Sequence, residues 1–326
     1  MKILIIGRYK PQFTNNLLPF VLEQGEALSK AGHQVEYFPI KGNYLSAVKS
    51  LKAKIKSWQP DIIHAHYGLS AITAELQSLT PVVTTFHNGE TLNKLVNFSS
   101  SLMSLRASHV IYVAEHLYNK CYFKSKNYSI IPCGINLEDC NIIPKEEARE
   151  QLGLDPNKIY ILFGGGFDNL RKNYPLLKDG VKHFLSLKES FCPSKGDRIE
   201  DFGEVVCMEM KGLNRAECNL RMCACDIFAL PSKSEGSPQA LKEAMACNSP
   251  IIATDIADVK HLLGGLPGHY LCDFSKESVA NALQQAIVYC KTNNRTNGRE
   301  RIIELGLDND TVAKKLIAIY NNVLKK

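Results

Sequence analysis

One stretch constrains the fold more than any other: Asp226 to Asp255, DIFALPSKSEGSPQALKEAMACNSPIIATD. Two short apolar runs, DIFAL and SPIIATD, flank a segment from Pro238 to Cys247. In it Ala240, Leu241, Ala244, Met245 and Cys247 recur at helical spacing. Strand, loop, helix, turn and strand in that order make a βαβ unit. Ser237 stands where an N-cap belongs and Pro238 where a first helical residue belongs, because proline has no N–H to lose there and a preset φ. The helix is therefore expected to start within Glu235-Gly236-Ser237-Pro238.

Free amides at such a terminus, beside a glycine that lets a ligand approach the backbone, suit a phosphate. Glu235 precedes the helix and Glu243 lies inside it, at the edge of the apolar stripe, so both look toward the strand's carboxyl end. Carboxylates repel phosphate but accept hydrogen bonds from hydroxyls. The ligand that fits is a diphosphate between two polyhydroxylated ends, a sugar nucleotide. Taken alone, the stretch also reads as an ordinary capped helix with two solvated glutamates.

The Glu-x7-Glu pattern inside PSKSEGSPQALKEAMACNSPIIATD resembles that of retaining glycosyltransferases of family 4. That family has the GT-B fold, an α/β architecture of two Rossmann-like, doubly wound parallel-sheet domains facing a cleft. The resemblance extends over nearly the whole chain in matching order and is strongest from Asn214 to Val259.

The remaining sequence is consistent with two such domains. At 326 residues the length fits about two domains, and KILIIG at Lys2–Gly7 opens an alternation of strand and helix patterns characteristic of a doubly wound sheet. Helices are expected at Asn16–Ala31 and Ser46–Trp58, and strands in HQVEYFPI, DIIHAHY, PVVTTFH, HVIYVA and YSIIPCGIN. The first turn, GRYKPQFTNN, lacks GxGxxG, which argues against a dinucleotide enzyme. Pro132 and Gly134 resemble the family's exit from its first domain, and Leu137 to Pro156 reads as a charged connector. A second strand run, IYILFGGGF, then begins a second α/β domain. We place the domains at residues 1–156 and 157–310, with a last helix over 311–326 returning to the first. Asp308-Asn309-Asp310 reads as a helix cap.

Composition narrows the partners. No apolar run reaches the ~18 residues of a membrane span, and MKILIIGRYK turns polar too soon for a signal peptide, which points to a cytoplasmic protein. The eleven cysteines form no CxxC framework, and Cys133, Cys207 and Cys247 fall in apolar runs, the pattern of reduced core thiols. Cys223 and Cys225 are two apart on an expected helix and so diverge, which argues against a zinc site with Cys218. A net charge of +6 fits an anionic partner, whether nucleotide, phospholipid or lipid-linked diphosphate.

The resemblance also implies roles. Glu243 would hold the ribose hydroxyls and Glu235 the transferred sugar. His87, at the end of PVVTTFH, would contact donor sugar or phosphate from the opposite domain; a parallel strand's carboxyl end is where open α/β sheets bind ligands. Arg171 and Lys172, after the glycine-terminated strand, would join the amides of Gly236 and Ser237 in stabilising charge on the departing β-phosphate. Gly7, Gly166 and Pro238 complete the donor-binding set, and Arg8 and Lys10 read either as acceptor-phosphate contacts or as solvated loop charges. With those cations present no metal and no resident cofactor are expected, only a nucleotide diphosphate sugar as donor. The acceptor would be a glycan or a lipid-linked glycan, with surface polysaccharide or O-antigen assembly as the setting and no nucleic acid partner. The helix SAVKSLKAKIKSW is basic and amphipathic, so it reads both as a peripheral contact with the inner face of the membrane and as a surface helix packed on the sheet. A GT-B sugar-nucleotide epimerase and a non-catalytic two-domain binding protein are the alternatives.

Overall fold

A computed structural model describes residues 1–190 and 203–325. The chain divides into two compact units, Met1–Ile135 with Gly306–Lys326, and Asn136–Leu305.

The first unit alternates strand and helix: β1 (Lys2–Arg8), α1 (Pro19–Lys30), β2 (Gln34–Ile40), α2 (Ala47–Trp58), β3 (Ile62–His66) and α3 (Gly68–Glu75). It continues with β4 (Val82–Phe86), α4 (Lys94–Ser104), β5 (His109–Tyr112), α5 (Glu115–Lys120) and β6 (Tyr128–Ile130). The sheet is six-stranded in the order β2-β1-β3-β4-β5-β6, and every pairing is parallel. Because side chains alternate along a strand, Ile3 and Ile5 face one helical layer while Leu4 and Ile6 face the other. Strands buried on both faces read as unbroken apolar runs, which is why KILIIG was legible as one.

The second unit opens with α6 (Lys145–Leu152), β7 (Ile159–Phe163), α7 (Tyr174–Ser190), β8 (Val205–Glu209), α8 (Arg215–Ala224) and β9 (Ile227–Leu230). After these come α9 (Gln239–Ala246), β10 (Ile251–Thr254), α10 (Val259–Leu263), β11 (His269–Cys272), α11 (Lys276–Thr292) and α12 (Gly298–Glu304). Its five strands run β11-β10-β9-β7-β8, again all parallel. The last helix, α13 (Asn309–Leu324), puts Val312, Leu316 and Tyr320 into the core of the first unit beside α1. Asp308 caps it, accepting from the Thr311 amide at 2.8 Å.

Two expectations need correction. Residues 136–156, assigned to the first domain from their charge, belong to the second unit, and residues 306–310 belong to the first. The reason lies in α6: Arg149 is buried, donates through Nε to the Ala224 carbonyl at 3.0 Å and pairs with Asp226 at 2.5 Å, just ahead of β9. A charged stretch there is a docked helix and not a linker. The central helix also starts later than its sequence suggests. Pro238 occupies the N-cap and Gln239 is the first residue of α9; the buried Ser237 hydroxyl faces Asp258 and caps nothing. The ten cysteines described are free thiols. Among the described residues no helix is long and apolar enough to cross a membrane.

Candidate functional site

In an open parallel sheet the ligand crevice forms at the carboxyl ends of the two strands where the order reverses. In the second unit these are β7 and β9. β7 runs directly into Gly164-Gly165-Gly166, where side chains are excluded by contact. A Cβ on Gly164 would lie 2.7 Å from the Phe228 ring, one on Gly165 2.9 Å from Lys172, and one on Gly166 2.8 Å from the Asp168 carboxylate. The Phe167 amide then donates to Glu209 at 2.7 Å, turning the chain toward Arg171 and Lys172.

β9 leads into the loop that carries Glu235, and here three of the expected residues meet. Lys172 Nζ lies 2.8 Å from Glu235 Oε1 and Arg171 Nη1 lies 3.5 Å from Oε2. The Lys233 amide donates to the Arg171 carbonyl at 2.9 Å and ties the two loops together. Glu235 and Lys172 are nearly enclosed, with side chains 7% and 13% exposed, whereas Arg171 is 43% exposed. Two cations thus surround one buried carboxylate at the strand ends. An arriving diphosphate would compete for those cations and release the carboxylate toward a hydroxyl-bearing group.

Glu243, on α9, is placed differently. It pairs with Arg215 at the start of α8, a residue the sequence reading did not single out. Asn214 and Glu217 form a reciprocal capping box around that helix start, so Arg215 is presented at a fixed point. A capping signature followed by a cation ahead of the donor strand was the available signal. Two further groups were missed. Lys242 is fully buried, and burial raises the Asp258 carboxyl while Ser237 and Lys242 draw it back down. Ala257, just before Asp258, holds φ 53, a left-handed conformation that costs a residue with a Cβ. Gly236 and Pro238 are buried in the loop between β9 and α9.

The first unit reverses order between β1 and β3, and a cavity of about 370 Å³ opens there, lined among others by Gly7, Arg8, Lys10, His66, Tyr67 and Glu90. His87, at the end of β4, is half-buried and forms part of a column of imidazoles. Its Nε2 lies 3.0 Å from His66 Nδ1, and the His64 and His66 rings stack at 4.5 Å. His64 is held in turn by Thr85 Oγ1 at 2.7 Å and by the Tyr320 hydroxyl of α13 at 2.6 Å. Burial, reinforced by the neighbouring ring, pushes both His64 and His66 well below the usual histidine range. The Cys133 thiol stands 3.6 Å from His87 Nδ1.

Glu90, also missed from sequence, builds the loop around His87. It is buried and accepts from the amides of Gly68 at 2.9 Å, Asn88 at 3.0 Å and His87 at 3.2 Å. Burial raises its carboxyl and those amides oppose the shift. Tyr67 and Asn88 hold φ 70 and 116 beside it, backbone that persists only where its surroundings fix it.

Solved structures show this fold over the full length. Sucrose-phosphate synthase from Thermosynechococcus elongatus superposes with a TM-score of 0.78 at 19% identity, covering 99% of each chain. HepE of Anabaena, solved with UDP-glucose, gives 0.75 at 16% identity over 99% of this chain and 100% of its own. The architecture is that of the GT-B class. Residues 20–139 match the family model Glycosyltransferase Family 4 and residues 203–289 match Glycosyl transferases group 1. TuaC of Bacillus subtilis, a glycosyltransferase named for teichuronic acid biosynthesis, is 28% identical over 257 residues, 72% of this chain. The chain spans about three fifths of the length of that relative, 62% of it. On these matches the chain belongs to glycosyltransferase family 4.

Proposed function

We propose that the chain is a retaining glycosyltransferase that moves a sugar from a nucleotide diphosphate donor to a glycan or lipid-linked acceptor, without a metal, at the cytoplasmic face of a membrane during surface polysaccharide assembly. The observation that carries this reading is the Arg171–Lys172–Glu235 cluster at the carboxyl ends of β7 and β9. A donor's anomeric bond breaks with its electron pair moving to the β-phosphate oxygen, and preorganised cations are what that step requires. Arg171 and Lys172 would bind the diphosphate, while Glu235, relieved of them, accepts from the sugar hydroxyls. Glu243 would exchange Arg215 for the ribose hydroxyls, and His87, held by His66, would contact donor sugar or phosphate. The cavity beside Gly7, Arg8 and Lys10 serves the acceptor. The naming of TuaC for teichuronic acid biosynthesis and the UDP-glucose in HepE support the class of donor and product.

The test is a thermal-shift panel of nucleotide sugars with chelator present, comparing the parent with Glu243→Ala. Ligand raises the midpoint according to its concentration over its Kd. One nucleotide series should stabilise the parent, and the variant less at the same donor concentration. No shift with any donor, in folded protein, rejects the reading. Transfer that stops on chelation rejects metal independence, and conversion of donor alone into an isomer identifies an epimerase instead.

A further inference from the structure

Helix α4 is built inside out. Its buried residues are Asn97, Ser100, Ser101 and Ser104, while Leu95, Phe98 and Leu102 are 81%, 49% and 43% exposed. Positions three and four apart share a helix face, so these apolar residues form one stripe turned to solvent, which Leu105 extends. The polar face is buried because it packs closely on α3. A side chain at Gly68 would collide with Ser100, leaving no room for leucine on that face. Two of the buried serines are satisfied locally, Ser101 Oγ donating to the Asn97 carbonyl at 2.6 Å and Ser104 Oγ to the Ser101 carbonyl at 2.7 Å. The side-chain amide of Asn97 donates to the Lys120 carbonyl at 2.8 Å, which sets the α5 end against the helix.

The stripe does not stand alone. Phe98 meets the Phe123 ring at 5.3 Å and the Tyr122 ring at 6.4 Å. Lys120 and Lys124 flank Tyr122 and Phe123 in the chain and are exposed, Lys124 Nζ standing 4.8 Å from the centre of the Tyr118 ring. Between residues 92 and 130 the sequence carries five lysines or arginines and one carboxylate, Glu115. The helix that sequence alone nominates for a membrane, α2, has a different fate: its Leu51 and Ile55 are buried in the sheet's core and its Lys54 pairs with Glu36. It has charge and no apolar face to insert.

We propose that the exposed face of α4, with its lysine rim, docks the protein on an anionic lipid surface. An apolar stripe bordered by cations matches an acyl boundary under acidic headgroups. A second copy of this chain fits less well, because two lysine rims would be brought together. The face adjoins the proposed acceptor cavity, which is lined by Val96 of α4 as well as by Glu90, so docking brings that cavity to the lipid. This deepens the lipid-linked acceptor reading above and rests on it only for the acceptor.

The full-length protein is co-sedimented with phosphatidylcholine vesicles with and without phosphatidylglycerol, and donor binding by thermal shift is read on the same samples. Binding is expected only with phosphatidylglycerol and is expected to weaken as salt rises. Leu95→Gln with Phe98→Gln, and separately Lys120→Gln with Lys124→Gln, should each lower partitioning about tenfold or more. Lys49→Gln with Lys52→Gln on α2 should leave it near the parent's. Leu95, Phe98, Lys120 and Lys124 are all exposed, so unchanged unfolding midpoints confirm folded variants. Parent-like partitioning of both the apolar and the lysine variant overturns the proposal, as does a parent that ignores phosphatidylglycerol. A concentration-dependent dimer that ignores vesicles and is lost in Leu95→Gln with Phe98→Gln overturns it in favour of self-association. Loss of vesicle binding with donor binding intact rejects docking alone. Loss of donor binding with vesicle binding intact rejects the transferase reading alone.

Discussion

The two units repeat one topology and equip its switch point in opposite ways. In the first, β3 and β4 end among imidazoles: His64, His66 and His87 stack in a column, His64 and His66 wholly buried, and the carboxylate of Glu90 is held by backbone amides. In the second, β7 and β9 end among opposed charges, Lys172 and Arg171 on Glu235 with Arg215 on Glu243 nearby on the helices. Burial explains both. A titratable group taken out of water either gives up its charge or finds a partner, and the first unit takes the first course and the second the other. A stacked column of imidazoles orients a ligand, whereas paired charges exchange partners with one, so the same topology yields a site that positions and a site that stabilises developing charge.

The sharpest way to break this contrast is kinetic. Arg171→Ala should lower kcat by about a hundredfold or more, since its charge acts chiefly as the leaving group departs, while His87→Gln should cost only about tenfold in transfer assays at saturating donor. Equal losses would mean that the first unit also carries charge in the reaction. Next in size is stability. Glu235→Ala strands the enclosed Lys172 cation and should cost about 3 kcal/mol in urea unfolding, much of it restored by adding Lys172→Met.

Acid and base should load the first unit in opposite senses. Glu75, at the end of α3, is raised to about 7 by burial, which outweighs the opposing pull of Arg106. Its folded value lies above its unfolded one, so its contribution is complete below about 4.5 and lost as pH rises through 7. Glu75→Gln should therefore be more stable than the parent at pH 8, by about 2 kcal/mol, with the advantage gone near pH 4. His64 titrates in the opposite sense. Burial lowers its folded value below the ordinary 6.5, so stability falls as pH drops under about 6.5, and His64→Gln should flatten that acid limb. The smallest effect belongs to Glu243→Ala. It should weaken donor binding about tenfold by titration calorimetry and change stability by less than about 1 kcal/mol, because its partner Arg215 is 39% exposed.

The parts legible in sequence were those where one physical demand dominates. Strands buried on both faces must be apolar, so KILIIG and IYILF could be read directly. The cap at Asp308 followed from the orphan amides of a helix start. Arg171, Lys172 and Glu235 were identifiable because glycines and charges cluster at two strand ends. Where two demands compete, the reading failed. The charges of α6 resembled a linker because a buried Arg149 cannot be told from a solvated one until Asp226 is seen opposite it. Pro238 fits an N-cap as well as a first helical position, and only the loop geometry decides between them. Arg215 and Glu90 act through partners far along the chain or through backbone amides, and neither leaves a periodic trace.

The terminal helix bears on how the protein is made. Ile135 pairs with Asp308 across the whole inserted second unit, its amide donating to the Leu307 carbonyl at 2.8 Å. Val312, Leu316 and Tyr320 then complete the first unit's core. During synthesis the first unit emerges first yet lacks this helix until residues 309–324 have followed the whole second unit out of the ribosome, while the second has all of its chain by Leu305. The unit begun first is finished last, and the imidazole column waits on Tyr320. A chain stopped between Leu305 and Asn309 would carry a whole second unit and a first unit without α13.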